Sequence, residues 1–258
     1  MSHLPNDVLT KVCKAAELVL ASEHTIALTG AGSSTPSGVP DFRSADSGLW
    51  TRYSPMEVAS LTTFRQQPEK FFRWLRPLAA QILKAEPNPS HMAFATLGQN
   101  GFIEAVITQN IDGLHQRAGA KVVIEVHGSL NTLTCIGCYQ QYPSNGYIDA
   151  YIQQGEIPRC QVCDRILKPD VVLFEEQLPF EPWLKAREEI GKCDLLIVAG
   201  SSLVVMPVAG LPMKVIENQA RVIIVNKTPT YIDDYAEVVI HGDVADILPA
   251  IAKEVLDV

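Results

Sequence analysis

Six short segments of the chain consist almost entirely of apolar, often β-branched residues, and each is followed by a turn or a helical pattern. The segments span residues 25–29, 103–108, 122–126, 194–199, 221–225 and 237–241. Continuous apolar runs of this length are typical of strands buried on both faces of a parallel sheet. Helical patterns lie between several of them, as at 112–118 and 207–218. The alternation predicts an α/β fold with a Rossmann-like, doubly wound parallel sheet.

Two stretches interrupt this alternation, and the strand pattern resumes after each. Residues 36–89 are rich in Arg, Phe, Trp and Pro and predict loops with a few short helices, and residues 128–168 are rich in turn residues. We therefore predict that two segments, 44–89 (helical) and 128–168, form a smaller inserted domain. The Rossmann-like domain is then built from residues 1–43, 90–127 and 169–258. A cleft between two such domains is the default place for a ligand.

Composition and charge exclude several classes of function. The 258 residues carry a formal net charge of −8, whereas proteins that bind nucleic acids present basic patches. The N-terminal 25 residues form an amphipathic pattern without the layout of a signal peptide. The longest apolar stretch, 195–213, is broken by glycine and proline, so it does not predict a membrane span. We expect a cytoplasmic monomer that binds neither membranes nor nucleic acids.

Two strands run directly into small residues that favour a nucleotide. The first junction is Gly30-Ala31-Gly32, and the second is Gly200-Ser201-Ser202. Glycines after a strand let the backbone approach a pyrophosphate near a helix N-terminus. Thr35 stands where a third glycine is expected, and no acidic residue follows about 20 positions later. Each junction alone is as compatible with an ordinary turn or crossover, but two in one chain favour a dinucleotide.

Polar side chains follow two further predicted strands. Gln109, Asn110 and Asp112 come after the run 103–108, and His127 comes after 122–126. Carboxyl ends of parallel strands form the ligand-binding edge of such sheets. Asn110 suits a carboxamide, Asp112 suits a hydroxyl or an amide N–H, and histidine suits a general base. The alternative is that Asn110 and Asp112 only cap the following helix.

Four of the six cysteines form two Cys-x-x-Cys pairs. The pairs are Cys135/Cys138 and Cys160/Cys163, separated by 21 residues, close to the spacing of about 15–20 that is usual for a paired zinc site. Four thiolates leave no open coordination position, so the pattern predicts one structural Zn²⁺. The alternative, a redox dithiol, is disfavoured because there are two pairs and both lie in turn-rich sequence.

Together these stretches resemble the sirtuin family, and they occur in the family's order over almost the whole chain. Besides the glycine turns and the four cysteines, the matching segments are Gly38-Val39-Pro40-Asp41-Phe42-Arg43, Thr108-Gln109-Asn110-Ile111-Asp112-Gly113-Leu114-His115, Ala118-Gly119, Glu125-Val126-His127-Gly128, Lys168-Pro169-Asp170-Val171-Val172, Gly200-Ser201-Ser202-Leu203 and Asn226. The resemblance is greatest to the bacterial and archaeal deacetylases.

The resemblance implies an NAD-dependent protein-lysine deacetylase, acting on acetylated proteins or peptides. Family members break the bond between nicotinamide and ribose and pass the acyl group of lysine to ADP-ribose, through an imidate. His127 would be the general base that activates a ribose hydroxyl, with Asn110 and Asp112 as further catalytic residues.

The resemblance also implies which residues bind each ligand. NAD would contact Gly30, Ala31, Gly32, Thr35, Asp41, Phe42, Arg43, Gln109, Asn110, Ile111, Asp112, His127, Gly200, Ser201, Ser202, Asn226, Asp243 and Val244. The substrate peptide would be flanked, as an added strand, by Val172, Leu173, Phe174 and Glu175 on one side and by Leu203, Val204 and Val205 on the other.

Three departures from the family pattern stand out. Ser33 replaces an aliphatic residue, and Glu175 replaces the glycine of a Phe-Gly-Glu motif. Residues 71–76 lack the Tyr-x-x-Arg with which desuccinylating relatives hold an acidic acyl group. We therefore expect an uncharged acyl group, acetyl first, and a substrate preference influenced by Glu175.

Three other functions compete with deacetylation. A mono-ADP-ribosyltransferase would share every NAD-binding residue, and only its products would distinguish it. An NAD-dependent dehydrogenase would need the complete glycine fingerprint and its ribose-binding acid, which this chain lacks. A zinc-stabilised binding module would give Asn110, Asp112 and His127 no reason to share one edge of the sheet.

Overall fold

The computed structural model describes residues 4–41 and 48–257, which alternate between helices and strands as the pattern predicts. The helices are α1 (Asn6–Leu20), α2 (Pro55–Val58), α3 (Leu61–Gln66), α4 (Pro68–Lys84), α5 (Pro89–Gln99), α6 (Leu114–Arg117), α7 (Ile148–Gln154), α8 (Phe180–Lys192), α9 (Leu211–Glu217) and α10 (Val244–Leu256). The strands are β1 (Thr25–Thr29), β2 (Ala105–Thr108), β3 (Val123–Glu125), β4 (Gly128–Cys135), β5 (Gln141–Pro143), β6 (Leu167–Val171), β7 (Leu195–Ala199), β8 (Arg221–Asn226) and β9 (Val238–His241).

The six apolar runs all form strands of one parallel sheet, which confirms the predicted fold class. Its strand order is β3-β2-β1-β7-β8-β9, and every neighbouring pair in it is parallel. The direction of winding reverses between β1 and β7. Open α/β sheets bind their ligands at such a switch point, outside the carboxyl ends of the strands.

Helices cover both faces of this sheet. Alternate side chains of the strands pack against α1, α5 and α10 on one face and against α8 and α9 on the other. Because both faces are covered, all five residues of β1 and all five of β7 are buried. Each fully buried aliphatic side chain contributes about 1.5–3 kcal/mol to folding. The strands are therefore held firmly in place, and so are the polar residues at their ends.

The two interrupting stretches contain several helices and a second sheet. Strands β5, β4 and β6 make a small antiparallel sheet in that order. The stretch 36–89 contains a 17-residue helix, α4, where the sequence predicted only short helices. Pro77 lies inside α4 but is exposed, as is Arg73, the residue whose carbonyl group loses its N–H partner to the proline. Burial of the apolar face of α4 therefore outweighs the destabilisation of the helix by Pro77.

An apolar cluster joins these helices to the residues that follow β2 at the carboxyl edge of the large sheet. Phe71, Phe72 and Leu75 of α4 are buried in it together with Leu114 of α6 and Leu173, and Ile111 packs against it. The residues after β2 thus rest on the helical insertion. No helix within the described ranges is both long and apolar enough to cross a bilayer.

The turns after β1 and β7 touch each other through their backbones at the switch point. The Gly32 N–H donates to the Gly200 carbonyl at 2.8 Å. Gly200 has φ +59°, and a Cβ placed on it would lie 2.2 Å from the Ser33 nitrogen. A Cβ on Gly30 or Gly32 would come within 3.0 Å of the Gly200 carbonyl oxygen. These glycines are therefore required by the contact between the two turns, whatever ligand the turns bind.

We predict that Gly200→Ala lowers the free energy of unfolding by at least about 3 kcal/mol, because it combines a left-handed φ with overlap of backbone atoms. The matched control is Gly101→Ala: φ there is +82°, and the added Cβ would meet nothing within 4 Å. That substitution should cost only the conformational term, about 1–2 kcal/mol. Denaturant unfolding of both variants measures the difference. Equal losses of unfolding free energy in the two variants would show that the close approach of the turns does not contribute to the cost of Gly200→Ala.

Candidate active site

The residues proposed to bind NAD are distributed along one edge of the large sheet. His127 follows β3, Asn110 follows β2, Gly32 follows β1, Ser201 follows β7, and Asn226 ends β8. Because the strands are parallel neighbours in this order, their carboxyl ends lie side by side. The topology alone therefore brings together residues that are far apart in sequence.

Asn110 lies at the centre of a buried hydrogen-bond network. Its side-chain Nδ2 lies 3.0 Å from the Gly30 carbonyl oxygen, the Ser33 Oγ and the Ser34 Oγ. The Ser34 hydroxyl donates to Asp112 Oδ2 at 2.7 Å. Since the amide nitrogen points into the β1 turn, the amide's orientation is fixed, and Asn110 and Asp112 are held together. Ser33 is fully buried and donates to the Gly30 carbonyl, so this departure from the family pattern adds a polar contact to Asn110.

Ser34 and His91 belong to this network although neither was predicted as a site residue. The Asn88 backbone N–H donates to His91 Nδ1 at 3.2 Å, which places the ring proton on Nε2, 3.4 Å from Ser34 Oγ. Asn88 itself donates to the Ser33 carbonyl at 2.8 Å. The start of α5 is thereby bound to the β1 turn. The sequence signal was Asn88-Pro89, a helix-start pattern, but it does not show what the helix start contacts.

His115 lies on α6, three residues after Asp112, and is fully buried. Its Nε2 is 3.0 Å from the Thr29 hydroxyl, which in turn donates to Thr108, and within the described residues its Nδ1 has no hydrogen-bond partner. Its ring packs edge-on against His91, with 4.7 Å between centroids. Burial lowers the pKa of His115 to about 3. Burial also lowers the pKa of His91 to about 4, although the Asp112 carboxylate opposes the shift.

His127 is half-buried, and its ring orientation is set by the backbone. Its Nδ1 lies 3.1 Å from the Gln109 carbonyl oxygen. A carbonyl can only accept, so Nδ1 carries the proton and the neutral ring has its lone pair on Nε2. The neighbouring Gln109 side chain donates to Ser201 Oγ at 2.9 Å. This bond connects the residues after β2 to the turn after β7.

Further predicted NAD ligands lie at or after the carboxyl ends of β1, β8 and β9. Thr35 donates to the Gly32 carbonyl, and Asn226 donates to the Thr228 carbonyl. Asp243 caps α10 and pairs with Lys227 at 2.8 Å, while the Val244 side chain packs into the core. The backbone carbonyl of Asp41 accepts from Leu49. Phe42 and Arg43 lie outside the described residues.

The two predicted peptide-flanking segments lie close to His127 and Ser201. The Val172 N–H donates to the His127 carbonyl at 2.8 Å, and the Leu203 N–H is 3.3 Å from Ser201 Oγ. Leu173 and Leu203 are buried, whereas Val204 is 62% exposed. The exposed Val204 side chain, next to the buried Leu203, gives this segment an apolar surface.

The four cysteines of the two pairs form one cluster at the end of the small sheet. Their Sγ atoms all lie within 4.8 Å of one another. Backbone N–H groups of Gly137 and Val162 point at the sulfurs of Cys135 and Cys160, and the Tyr142 hydroxyl lies 3.2 Å from the Cys160 sulfur. Four sulfurs at this spacing fit a tetrahedral Zn²⁺ site without an open position, so the metal would stabilise the fold and take no part in catalysis.

Comparison with known proteins identifies close relatives over nearly the whole chain. The Sir2 family model matches residues 30–207. The NAD-dependent protein deacylase 2 of Archaeoglobus fulgidus is 45% identical over 246 residues, covering 95% of this chain and 96% of that protein. A solved Sir2 structure superposes with a TM-score of 0.90 at 44% identity, covering 96% of this chain and 98% of that one. A Sir2 variant bound to a deacetylated peptide and 3′-O-acetyl-ADP-ribose superposes with a TM-score of 0.88 at 38% identity, covering 93% and 97% of the two chains.

We predict that acid destabilises the protein through His91 and His115. Both folded pKa values lie below the ordinary value of 6.5, so their stabilisation is complete above pH 6.5 and is lost as the pH falls below it. Denaturant unfolding at pH 5–7 measures the slope of stability against pH. In His115→Gln the slope should be shallower by up to about 1.4 kcal/mol per pH unit. An unchanged slope would show that His115 accepts a proton while folded.

We predict that the cysteine cluster holds one Zn²⁺ per chain. Cys135→Ala should lose the metal and the ordered packing of Tyr142 and Tyr147, because metal binding contributes on the order of 10 kcal/mol to folding of such a module. Elemental analysis and near-UV circular dichroism measure the two effects. Cys13→Ala, which changes an exposed thiol outside the cluster, is the control. A metal-free protein with an intact small sheet would contradict a structural role.

Proposed function

The chain belongs to the Sir2 family and is an NAD-dependent protein deacetylase or deacylase, and we propose that acetyl-lysine in proteins or peptides is its main substrate. In this reaction nicotinamide leaves NAD and the acetyl group passes from lysine to ADP-ribose. One observation carries the proposal: the imidazole of His127 shares the sheet edge with Asn110 and Asp112, and its proton is fixed on Nδ1.

His127 acts as the general base in this proposal. The hydrogen bond from its Nδ1 to the Gln109 carbonyl keeps the lone pair of the neutral ring on Nε2, the atom that takes a proton from a ribose hydroxyl. The ring is thus held in the tautomer that accepts this proton, and a positioned base of this kind is worth about 10²–10⁴-fold in rate.

Asn110 and Asp112 hold the nicotinamide end. NAD supplies a ribose carbon that becomes electrophilic as nicotinamide leaves. The Asn110 amide nitrogen is directed into the β1 turn, so its oxygen remains as the acceptor on the side of the ligand. Asp112 keeps its position through Ser34 and through the Leu114 N–H, 2.9 Å from Oδ1.

The phosphates and the adenosine extend along the rest of the edge. Gly30, Ala31, Gly32 and Thr35 line the pyrophosphate, and Ser201, Ser202 and Asn226 line the adenosine side. The Asn226 amide nitrogen is occupied by the Thr228 carbonyl at 2.7 Å, so its oxygen is directed to accept from a ribose hydroxyl. The same distribution supports NAD as the co-substrate.

An uncharged acyl group fits the residues of α4. Arg76 donates three hydrogen bonds to the carbonyl groups of Ile152 and Gln153. Phe71, Phe72 and Leu75 on the same helix are buried. The guanidinium group is therefore committed to α7 and its surroundings on α4 are apolar, which favours acetyl over an acidic acyl group.

Product analysis tests the function. The zinc-loaded protein is incubated with NAD and an acetyl-lysine peptide, and the products are weighed by mass spectrometry. Nicotinamide, deacetylated peptide and O-acetyl-ADP-ribose are expected in equal amounts. A peptide that gains ADP-ribose and keeps its acetyl group would instead assign the chain as a mono-ADP-ribosyltransferase.

We predict that His127→Ala reduces the rate of deacetylation by about 10²–10⁴-fold while the fold and zinc content are unchanged. The base acts after nicotinamide has left, so exchange of labelled nicotinamide into NAD should continue in the variant with peptide present. Both rates are measured on the same preparation. Full deacetylation in the variant would refute the assigned role.

A further inference from the structure

Glu175 adopts a backbone conformation that side-chain-bearing residues rarely take. Its φ is +75°, in the left-handed region that favours glycine, and it is exposed at the end of the segment that we assign to peptide binding. An exposed residue held in this conformation needs a compensating interaction, which the side chain provides.

The Glu175 carboxylate binds the first turn of α3. Its Oε2 accepts the Thr62 backbone N–H at 2.8 Å. Thr62 is the second residue of α3, so its N–H has no partner within the helix. The Thr62 side chain and its N–H together lower the pKa of Glu175. An anion at a helix N-terminus is also favoured by the helix dipole.

The backbone beside Glu175 is joined to the same part of the helical insertion. Phe174 and Ser60 form a parallel bridge. The Phe174 N–H donates to the Ala59 carbonyl, and the Leu61 N–H donates to the Phe174 carbonyl, both at 3.0 Å. The side-chain bond of Glu175 continues this ladder by one step. The segment thus meets residues 59–62, which lead into α3, through three hydrogen bonds.

The next residue anchors the segment on the opposite side. Glu176 Oε2 accepts the Leu173 N–H and the Lys168 ammonium group, both at 2.9 Å, and Lys168 belongs to the small sheet. The two adjacent acidic residues therefore bind different structural elements.

We propose that Glu175 is a positioning residue for the acylated peptide: its side chain fastens the peptide-binding segment 172–175 to α3 and so sets the geometry in which the peptide is received. The proposal rests on the function inferred above. Glu175 acts through a hydrogen bond within the protein and touches neither NAD nor the reacting atoms. It should therefore affect peptide binding and leave the chemical step unchanged.

Three substitutions at position 175 separate the side chain from the backbone conformation. Glu175→Gln keeps an oxygen that accepts from Thr62, Glu175→Ala removes it, and Glu175→Gly removes it while relieving the left-handed φ. We predict that KM for the peptide rises about five- to tenfold in the Ala and Gly variants, as expected for loss of a helix-capping contact. The Gln variant should stay within about twofold of the wild type, and kcat and KM for NAD should not change. Glu17→Ala on the remote helix α1 controls for the change in net charge.

Peptide affinity without NAD, measured by fluorescence anisotropy, should change in parallel with KM. A Gly variant with wild-type KM would overturn the proposal, because only the backbone conformation would then matter. The proposal would also be overturned if the Gln variant bound peptide as weakly as the Ala variant and the loss of affinity were confined to peptides with basic flanking residues. That result would indicate direct recognition of charge by Glu175. If the wild type deacetylates the peptide and every variant has the same KM as the wild type, this inference alone is refuted. If the wild type does not deacetylate the peptide, the proposed function is refuted.

Discussion

The backbone contact between the turns after β1 and β7 is the constraint on which the ligand-binding edge depends. Gly32 and Gly200 meet across the switch point with a hydrogen bond and no room for a Cβ. This contact fixes the β1 turn, and that turn supplies the carbonyl and hydroxyl groups that orient Asn110. The Rossmann fingerprint assigns its third glycine to packing between helix and strand. Here Thr35 stands in that position and donates to the Gly32 carbonyl, so the turn is closed by a side chain instead.

The second requirement is that the buried polar groups of the site satisfy one another. Asn110, Ser34 and Asp112 are all buried, and an unpaired polar group in such a place costs about 1–3 kcal/mol. Each finds partners from another segment of the chain, as His91 does at Ser34. The same bonds that offset burial also fix the directions of the amide and carboxylate. Stability and catalytic orientation are therefore supplied by one set of contacts.

Much of this arrangement could be predicted from the sequence, because it follows from the parallel topology. Strand ends in a parallel sheet share one edge, so Asn110 and His127 were expected to lie near the glycine turns, and the cysteine spacing predicted the thiolate cluster. The network of Ser34 and His91 could not be predicted, since it depends on the packing of α5 against the β1 turn. The length of α4 was underestimated because Pro77 is a helix breaker unless it faces solvent. The capping role of Glu175 required the position of α3, which no local pattern gives.

The order of the strands has a consequence for the folding of the chain. Residues proposed to bind NAD follow β1, β2, β3 and β7, and β7 follows β1 by more than 160 positions. No fragment that ends before β7 contains all of these proposed residues, so we expect high affinity for the dinucleotide in the fully folded state alone. Binding to the native state alone stabilises it by RT ln(1 + [L]/Kd), about 2.7 kcal/mol when the ligand is at 100 times Kd. The dinucleotide that the protein consumes therefore also stabilises its native state, and the free energy of unfolding increases with the concentration of NAD.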